Sequence, residues 1–226
     1  MNKEVNDIIK DVRICIDEQG LNDADFIGGT DDAEMDTLIR SKILEAVRYV
    51  HGNADWAFLN PEVVWSYLPQ DDLSGDEGGD VTMKIENNVG IVELPDNFLR
   101  LCYAKFDSWP IYMTDIIYWN DPEYATLFDD VATGTPERPK LAQDFDGKKK
   151  TLKLFKGGQN DNFSVGVLLE PTISEGTNPT VFICDKLEDA VTYYTAGLVL
   201  LTYNEQRADN LFNIALTHMG INTNAQ

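Results

Sequence analysis

Residues 181–201 read VFICDKLEDAVTYYTAGLVLL, and the hydrophobic period changes inside this stretch. Residues 181–184 form a short β-branched and aromatic run that is typical of a strand. From Asp185 onward the apolar residues follow helical spacing, and Asp185 and Glu188 form an acidic variant of the capping box. A chain that passes from strands to helices at this point predicts an α+β fold with a helical C-terminal part.

Two helices are predicted at each end of the chain. The stripe of the last helix resumes after a polar break at residues 204–206 and ends at Gly220. At the N-terminus, one helical stripe precedes Gly20 and a second follows a cap at Thr30. The N-terminal stripes consist of Val5, Ile8, Ile9, Val12 and Ile16, and of Met35, Ile39, Ile43, Ala46, Val47 and Val50. Each pair has an apolar face that packing on the other pair would bury.

The middle of the chain carries β-strand patterns. Residues 56–68 are interrupted by prolines and predict irregular structure with one extended piece. Short β-branched and aromatic runs then occupy residues 81–85, 90–94, 98–106, 111–118, 139–143, 151–155, 163–170 and 181–184. Asp146-Gly147 is a hairpin signal between two of these runs. An antiparallel sheet or a small sandwich is therefore predicted.

These patterns define a domain organisation. Residues 1–55 and 185–220 are predicted to form a helical bundle from the N- and C-terminal helix pairs, and residues 56–184 an inserted antiparallel β-rich domain. The last helix is followed by a short polar C-terminal tail, Ile221, Asn222, Thr223, Asn224, Ala225 and Gln226.

Composition narrows the classes of function. The 226 residues carry a net charge of -21, which disfavours a reader of nucleic acid and fits either general solubility or a surface past which DNA slides. The N-terminal residues contain no apolar run, so we expect no signal peptide, no membrane span and synthesis in the cytoplasm. Cys15, Cys102 and Cys184 lie far apart and predict buried, reduced thiols.

No pattern of residues predicts catalysis, a cofactor or a metal site. His51 and His218 lack a convincing partner, and phosphate-binding glycine motifs are missing. Glu93 and Glu170 are the least unfavourable pair of acids for glycosidic chemistry, although chance explains them better. The acidic residues of the 71–80 segment do not follow EF-hand spacing, so this segment is predicted to be an exposed loop.

Two further features leave alternatives open. A sugar-binding sandwich would use the rings of Trp56, Trp65, Trp109 and Trp119, although tryptophans on strands are more often core residues. The only basic run consists of Lys148, Lys149 and Lys150, which either contacts DNA or an acidic partner, or keeps an edge strand soluble.

Several stretches resemble the head-tail adaptor proteins of short-tailed phages. They are VELPDNFLRL at 92–101, Trp109-Pro110, DPEY at 121–124 and GTPERP at 134–139. Within that family the sequence is similar to ring proteins of crAss-like Bacteroides phages. The order of elements, with paired helices at each end, also resembles this family.

The resemblance implies a structural virion protein of the phage neck, made in the host cytoplasm, and not an enzyme. Such a protein forms a homo-oligomeric ring, commonly dodecameric, beneath the portal protein, and DNA passes through its lumen without sequence-specific binding. The C-terminal tail would then dock on the portal. Contacts with the next tail ring would come from Asp71, Asp72, Asp76, Glu77 and Asp80, and from Lys148, Lys149 and Lys150. The alternative is a carbohydrate-binding or other accessory virion module.

Overall fold

The chain has a mixed α+β fold with helices at both ends, as its changing hydrophobic period predicts. The computed structural model describes residues 1–18, 32–68, 81–128, 134–145, 149–158, 160–203 and 206–221. The helices are α1 (Val5–Glu18), α2 (Asp32–Asn53), α3 (Glu188–Thr202) and α4 (Ala208–His218). The strands are β1 (Asn2–Glu4), β2 (Val63–Tyr67), β3 (Met83–Glu86), β4 (Val89–Glu93), β5 (Phe98–Phe106), β6 (Ile117–Tyr118), β7 (Lys140–Phe145), β8 (Lys150–Phe155), β9 (Phe163–Leu169) and β10 (Thr180–Phe182).

The chain divides into two compact units. One, here called the helical unit, combines residues 1–60 with residues 170–226, and the other, the β unit, is formed by residues 61–169. Residues 170–184, which the sequence pattern places in the β-rich insertion, group with the helices. The reason is that β10 pairs antiparallel with β1, with Lys3 opposite Val181. The pattern of the sequence does not predict β1, since three polar residues carry no recognisable period.

Helices α1 and α2 pack antiparallel through their predicted stripes. The stripe residues of α1, from Val5 to Ile16, are at most 5% exposed, and those of α2 from Ile39 onward are fully buried. At the edge of the contact, Nε of Arg13 donates to Oδ1 of Asp36 at 2.8 Å, and Nη2 of Arg40 donates to Oδ1 of Asn6 at 3.1 Å. The predicted caps at Gly20 and Thr30 lie outside the described residues.

Helix α3 is apolar around most of its circumference and has partners on several sides. It contacts α1, α2 and α4. A Cβ atom at Gly197 would lie 2.7 Å from the Phe212 ring, so glycine is what allows α4 to approach α3 closely. Tyr194 stacks on Tyr49 of α2, with ring centroids 4.3 Å apart. Helix α3 is therefore the buried centre of the helical unit.

The end of α4 is closed by a Schellman motif at the predicted Gly220. This glycine has φ +78°, its N–H donates to the carbonyl of Thr217 at 3.1 Å, and the N–H of Ile221 donates to that of Leu216 at 3.0 Å. The carbonyl of Met219 also accepts from the N–H of Asp55 at 2.9 Å. The last described residue of the chain is thus held in a fixed place.

The β unit is a sandwich of two sheets. One sheet has the order β2-β9-β5 and the other has the order β3-β4-β8-β7-β6. Residues of both sheets share one buried cluster, with Trp65 and Phe163 from the first sheet and Val92 and Leu154 from the second. The predicted antiparallel pairing holds for every described strand pair except β6 and β7, which run parallel.

The β3–β4 hairpin illustrates how local sequence determines this architecture. Its two-residue loop is Asn87-Asn88, with φ of 52° and 63°. Positive φ at both central positions defines a type I′ turn, whose twist matches that of the flanking strands. Asparagine tolerates this conformation better than other residues with a Cβ atom, so it fixes the register of Met83 opposite Val92.

Candidate functional site

The described part of the β unit has a groove with a volume of about 490 Å³. It is bordered by the start of β5 from one sheet and by β7 and β8 from the other. Its lining comprises Phe98, Leu99, Arg100, Leu101, Thr114, Asp115, Ile116, Tyr118, Gln143 and Lys150. The lining is more polar than apolar, and it includes two cationic side chains and one carboxylate.

Residues 111–118 cross from one sheet to the other along this groove. Met113 bridges to Ala104 of β5, through N–H···O bonds of 2.8 and 2.9 Å. Ile117 then pairs with Ala142 of β7. The sequence predicts a single strand for residues 111–118, and this prediction is wrong. Because the segment leaves one sheet to join the other, only β6 and one isolated bridge form within it.

A tight turn beside the groove exposes a tryptophan. The N–H of Asp121 donates to the carbonyl of Tyr118 at 2.8 Å, and the N–H of Tyr118 donates to Oδ2 of Asp121 at 2.9 Å. Trp119 lies inside this turn and is 55% exposed, while Tyr118 is 48% exposed. These two reciprocal bonds fix the backbone that carries both rings. We call this segment, residues 118–121, the Trp119 turn.

The strands at the groove carry lysines with different surroundings. Nζ of Lys149 lies 2.5 Å from Oε2 of Glu93, and Nζ of Lys153 lies 2.7 Å from Oδ2 of Asp144. Burial acts to raise the pKa of Asp144, but hydrogen bonds from Lys153 and Tyr124 leave the pKa of this carboxyl below its ordinary value. Lys150, by contrast, lines the groove with an exposed side chain, opposite the exposed ring of Phe145.

The lysine run does not mark an edge strand. Lys148 lies outside the described residues, Lys149 precedes β8, and Lys150 begins it. Strand β8 lies between β4 and β7 in its sheet, so the interpretation of the run as protection of an edge is wrong. The acidic residues expected to contact the next ring, Asp71, Asp72, Asp76, Glu77 and Asp80, lie outside the described residues.

Of the predicted portal-docking tail, the structure describes Ile221. The remaining residues of the tail, Asn222, Thr223, Asn224, Ala225 and Gln226, lie outside the described part of the chain. The tail therefore starts from the closed end of α4, beside the short 3-10 helix of residues 56–58, where Gly220 faces Phe58.

The four tryptophans of the proposed sugar platform do not form one set. Trp65 and Trp109 are 3% and 1% exposed and belong to the core of the sandwich. Trp56 and Trp119 are exposed, but Trp56 belongs to the helical unit and Trp119 to the β unit. Two of the four rings are therefore inaccessible to a sugar.

The residues considered for catalysis have structural partners. His51 is buried, and its Nε2 accepts a hydrogen bond from the backbone N–H of Cys184 at 3.2 Å. Glu93 pairs with Lys149, and Oε2 of Glu170 lies 2.7 Å from Nε of Arg48. The predicted buried, reduced thiols are confirmed, since Cys15, Cys102 and Cys184 are all buried and none of them forms a disulfide.

The described ranges contain neither a cluster of metal ligands nor a membrane-spanning helix. Within them, no group of three or more His, Cys, Asp or Glu side chains is placed to hold a metal ion. None of the helices in those ranges is long and apolar enough to cross a bilayer. Comparison of the sequence with protein-family models found no match, and comparison with curated proteins found none either.

Sequence reasoning missed the groove as a whole. Its lining comes from four segments that are distant in sequence, and only the fold brings Arg100, Gln143 and Lys150 together. One local signal was available: Tyr118 and Trp119 are adjacent aromatic residues directly before Asn120-Asp121-Pro122, a turn sequence that tends to lie at the surface.

Proposed function

We propose that this chain is a structural virion protein, a ring-forming head-tail adaptor that joins the phage portal to the tail and lines the DNA ejection channel. It would be made in the cytoplasm of the bacterial host and incorporated into the neck of the virion. Its proposed partners are further copies of itself, the portal protein and other tail ring proteins.

The observation that carries this proposal is the discontinuity of the helical unit. Helices from both ends of the sequence belong to one compact unit, and the β unit is formed by the residues between them. A helical bundle with an inserted β-rich domain is the architecture that the resemblance to adaptor proteins implies. The described contacts of α3 with α1, α2 and α4 support this arrangement.

Exposed apolar side chains on the helical unit support assembly. Ile14 of α1 is 54% exposed, and Leu201 and Tyr203 at the end of α3 are 53% and 44% exposed. A closed ring is built from heterologous contacts, in which each subunit uses two different faces. Ile14 on α1, and Leu201 and Tyr203 at the end of α3, are large exposed side chains that could each be buried in such a contact.

The charge of the chain supports a channel function. A chain with 39 acidic and 18 basic residues offers few cations that could displace the counterions of DNA. DNA would therefore pass an acidic lumen without adhering to it. A ring whose lumen is lined by lysine and arginine would contradict this part of the proposal.

Native mass spectrometry, at several protein concentrations and with or without the portal protein, tests the proposal. We expect a single closed oligomer, a dodecamer by the resemblance, and a complex with the portal. Removal of residues 222–226 should abolish portal binding and preserve the ring. A chain that stays monomeric at every concentration and never binds the portal would refute the adaptor function.

The carbohydrate-binding alternative receives less support, because Trp65 and Trp109 are core residues. Binding to a glycan array by a monomeric chain would favour it over the adaptor. The exposed Trp119 would then be the residue whose replacement by alanine abolishes glycan binding.

A further inference from the structure

We infer that His51 is an acid-sensitive latch within the helical unit. While its imidazole is neutral, the ring holds residues 182–184 against the end of α2, and protonation of Nε2 releases this segment. The inference concerns the helical unit by itself, so it does not depend on the proposed ring or on the portal.

The imidazole of His51 acts as a hydrogen-bond acceptor in a buried position. It lies in the last turn of α2, is 1% exposed, and its Nε2 accepts from the backbone N–H of Cys184 at 3.2 Å. A ring nitrogen that accepts a hydrogen bond carries no proton, so the ring is neutral and its proton is on Nδ1. The ring of Phe182 packs edge-on against the imidazole, with centroids 6.1 Å apart.

Protonation of Nε2 would place two donors against each other. The N–H of Cys184 would lose its acceptor, and a cation would be buried where the neutral ring now lies. The carbonyl end of α2 favours a cation, but by less than these two costs. An unfolded histidine has a pKa of about 6.5, so below this pH the unfolded chain takes up a proton that the folded chain resists. Stability contributed by this contact is therefore complete above about pH 6.5 and is lost as the pH falls.

Charged and titratable side chains of both signs lie in the segments around His51. They are Arg48 and Asp55 near it in the chain, Glu170 beside Arg48, Cys184, Asp185 and Lys186 at the donor, Lys3 and Glu4 on β1, Asp7 and Asp11 on α1, Glu188 and Asp189 at the start of α3, and His218 on α4. Oδ1 of Asp185 accepts from the α-amino group at 3.0 Å, and Glu188 pairs with Lys3. All of these groups are shared by the wild type and a His51 variant, so comparison of the two isolates the imidazole.

Cys184 connects the latch to the surrounding backbone. Its Sγ lies 3.4 Å from both the backbone N and the backbone O of Asn60, and its carbonyl accepts from the N–H of Leu187 at 2.8 Å. The bond to His51 is the one among these that depends on the charge of a side chain. Its loss would free residues 182–184 from α2 and expose the thiol of Cys184, which is fully buried in the folded chain.

NMR of the imidazole nitrogens tests the protonation state directly. The chain has two histidines, and the signals that disappear in His51→Gln identify the ring of His51. We expect the ring of His51 to remain neutral, with its proton on Nδ1, at pH values below 6.5 where the segment is still in place. Uptake of a proton by His51 near pH 6.5, with the N–H signal of Cys184 unchanged, would overturn the inference.

Urea unfolding at a series of pH values measures the linked stability. His51→Gln is the matched variant, because Oε1 of glutamine can accept the same N–H and does not titrate. The unfolding equilibrium constant of the wild type, divided by that of His51→Gln, should rise about tenfold for each pH unit below about 6.5, until the folded chain takes up the proton. Replacement of the exposed histidine in His218→Gln should change the equilibrium constant by less than about twofold. A ratio for His51→Gln that is constant between pH 7.5 and pH 5 would contradict the latch.

Thiol labelling of the folded wild type distinguishes release of the segment from unfolding. Cys15 on α1 is the internal control for unfolding of the helical unit, since it is also buried. With 4,4′-dithiodipyridine, which reacts with thiols in acid, the labelling rate of Cys184 relative to Cys15 should rise about tenfold between pH 7.5 and pH 5. In His51→Gln this relative rate should stay constant. A relative rate that is independent of pH in the wild type, or that rises equally in both chains, would show that His51 does not control the segment.

Discussion

Replacement of Gly157 by alanine should destabilise the β unit through a single steric conflict. Gly157 is buried at the end of β8, and its N–H donates to the carbonyl of Asn88 at 3.0 Å. A Cβ atom built on it would lie 2.5 Å from Cε2 of Phe106 and closer still to Cζ and Cε1. Carbon atoms in contact prefer a separation of about 3.5–4.0 Å, so the ring would have to move by roughly 1 Å or more.

The ring of Phe106 has little room for this movement. It is fully buried, and its centroid lies 5.2 Å from those of both Trp109 and Phe163. A Cβ at Gly90 would also lie 2.9 Å from Cζ of the same ring, so two glycines border this end of the ring. Overpacking of a well-filled core costs about 1–3 kcal/mol, and the rigidity of this site places Gly157→Ala at about 3 kcal/mol.

The matched control is the next residue. Gly158 is exposed, and a Cβ there would meet Asp161 at an ordinary 3.4 Å, so Gly158→Ala should change stability by less than about 0.5 kcal/mol. Urea unfolding followed by tryptophan fluorescence would measure both variants, with Trp109 as a reporter inside the affected cluster. Phe106→Leu should cost about 1 kcal/mol less in the Gly157→Ala background than in the wild type. Equal stabilities of the two glycine variants would refute the steric argument.

Three other predictions concern the helical unit and the β3–β4 hairpin. Asn88→Gly should raise the free energy of unfolding by about 0.5 kcal/mol, because glycine is favoured at the second position of a type I′ turn; an unfolding midpoint below that of the wild type would contradict this. Burial, with the nearby Tyr49 and Glu45, raises the pKa of Tyr194 to about 12. In the unfolded chain the tyrosine has a pKa of about 10, so it loses its proton at a lower pH than in the folded chain. The free energy of unfolding should therefore fall as the pH rises from about 10 to 12. Unfolding midpoints measured at several pH values should fall less in Tyr194→Phe than in the wild type. Removal of residues 222–226 should leave the unfolding midpoint unchanged, since the N–H of Ile221 still donates to the carbonyl of Leu216, whereas removal of residues 220–226 should cost about 1 kcal/mol through the lost Schellman bonds.

The helices could be predicted because the residues that determine them are close together in the sequence. The stripe from Val5 to Ile16 has the period of one buried helical face, and α1 begins at Val5. Gly220 was recognisable as a helix end because only a residue without Cβ adopts its left-handed conformation beside Phe58 at no cost. In both cases neighbouring residues contain the whole signal.

The misses have a common physical cause, which is pairing with distant residues. β1 is a strand because β10 lies beside it, and the run at 111–118 divides because its ends pair with different sheets. The lysine run was interpreted as protection of an edge strand, but β8 lies in the interior of its sheet. No local sequence pattern indicates whether a strand lies at the edge or in the interior of a sheet. The candidate groove was hidden for the same reason, since its lining residues meet only in the folded sandwich.

The discontinuity of the helical unit imposes an order of folding during synthesis on the ribosome. The β unit is complete once residue 169 has emerged, because its strands pair only with one another. At that moment α1 and α2 exist, but α3, which covers both of them, has not been made. The ion pair of Lys3 with Glu188 and the pairing of β1 with β10 can form only after β10 and the start of α3 have been made. Until those partners arrive, the nascent chain carries a finished sandwich beside two helices whose apolar stripes are uncovered, and such stripes are what chaperones bind.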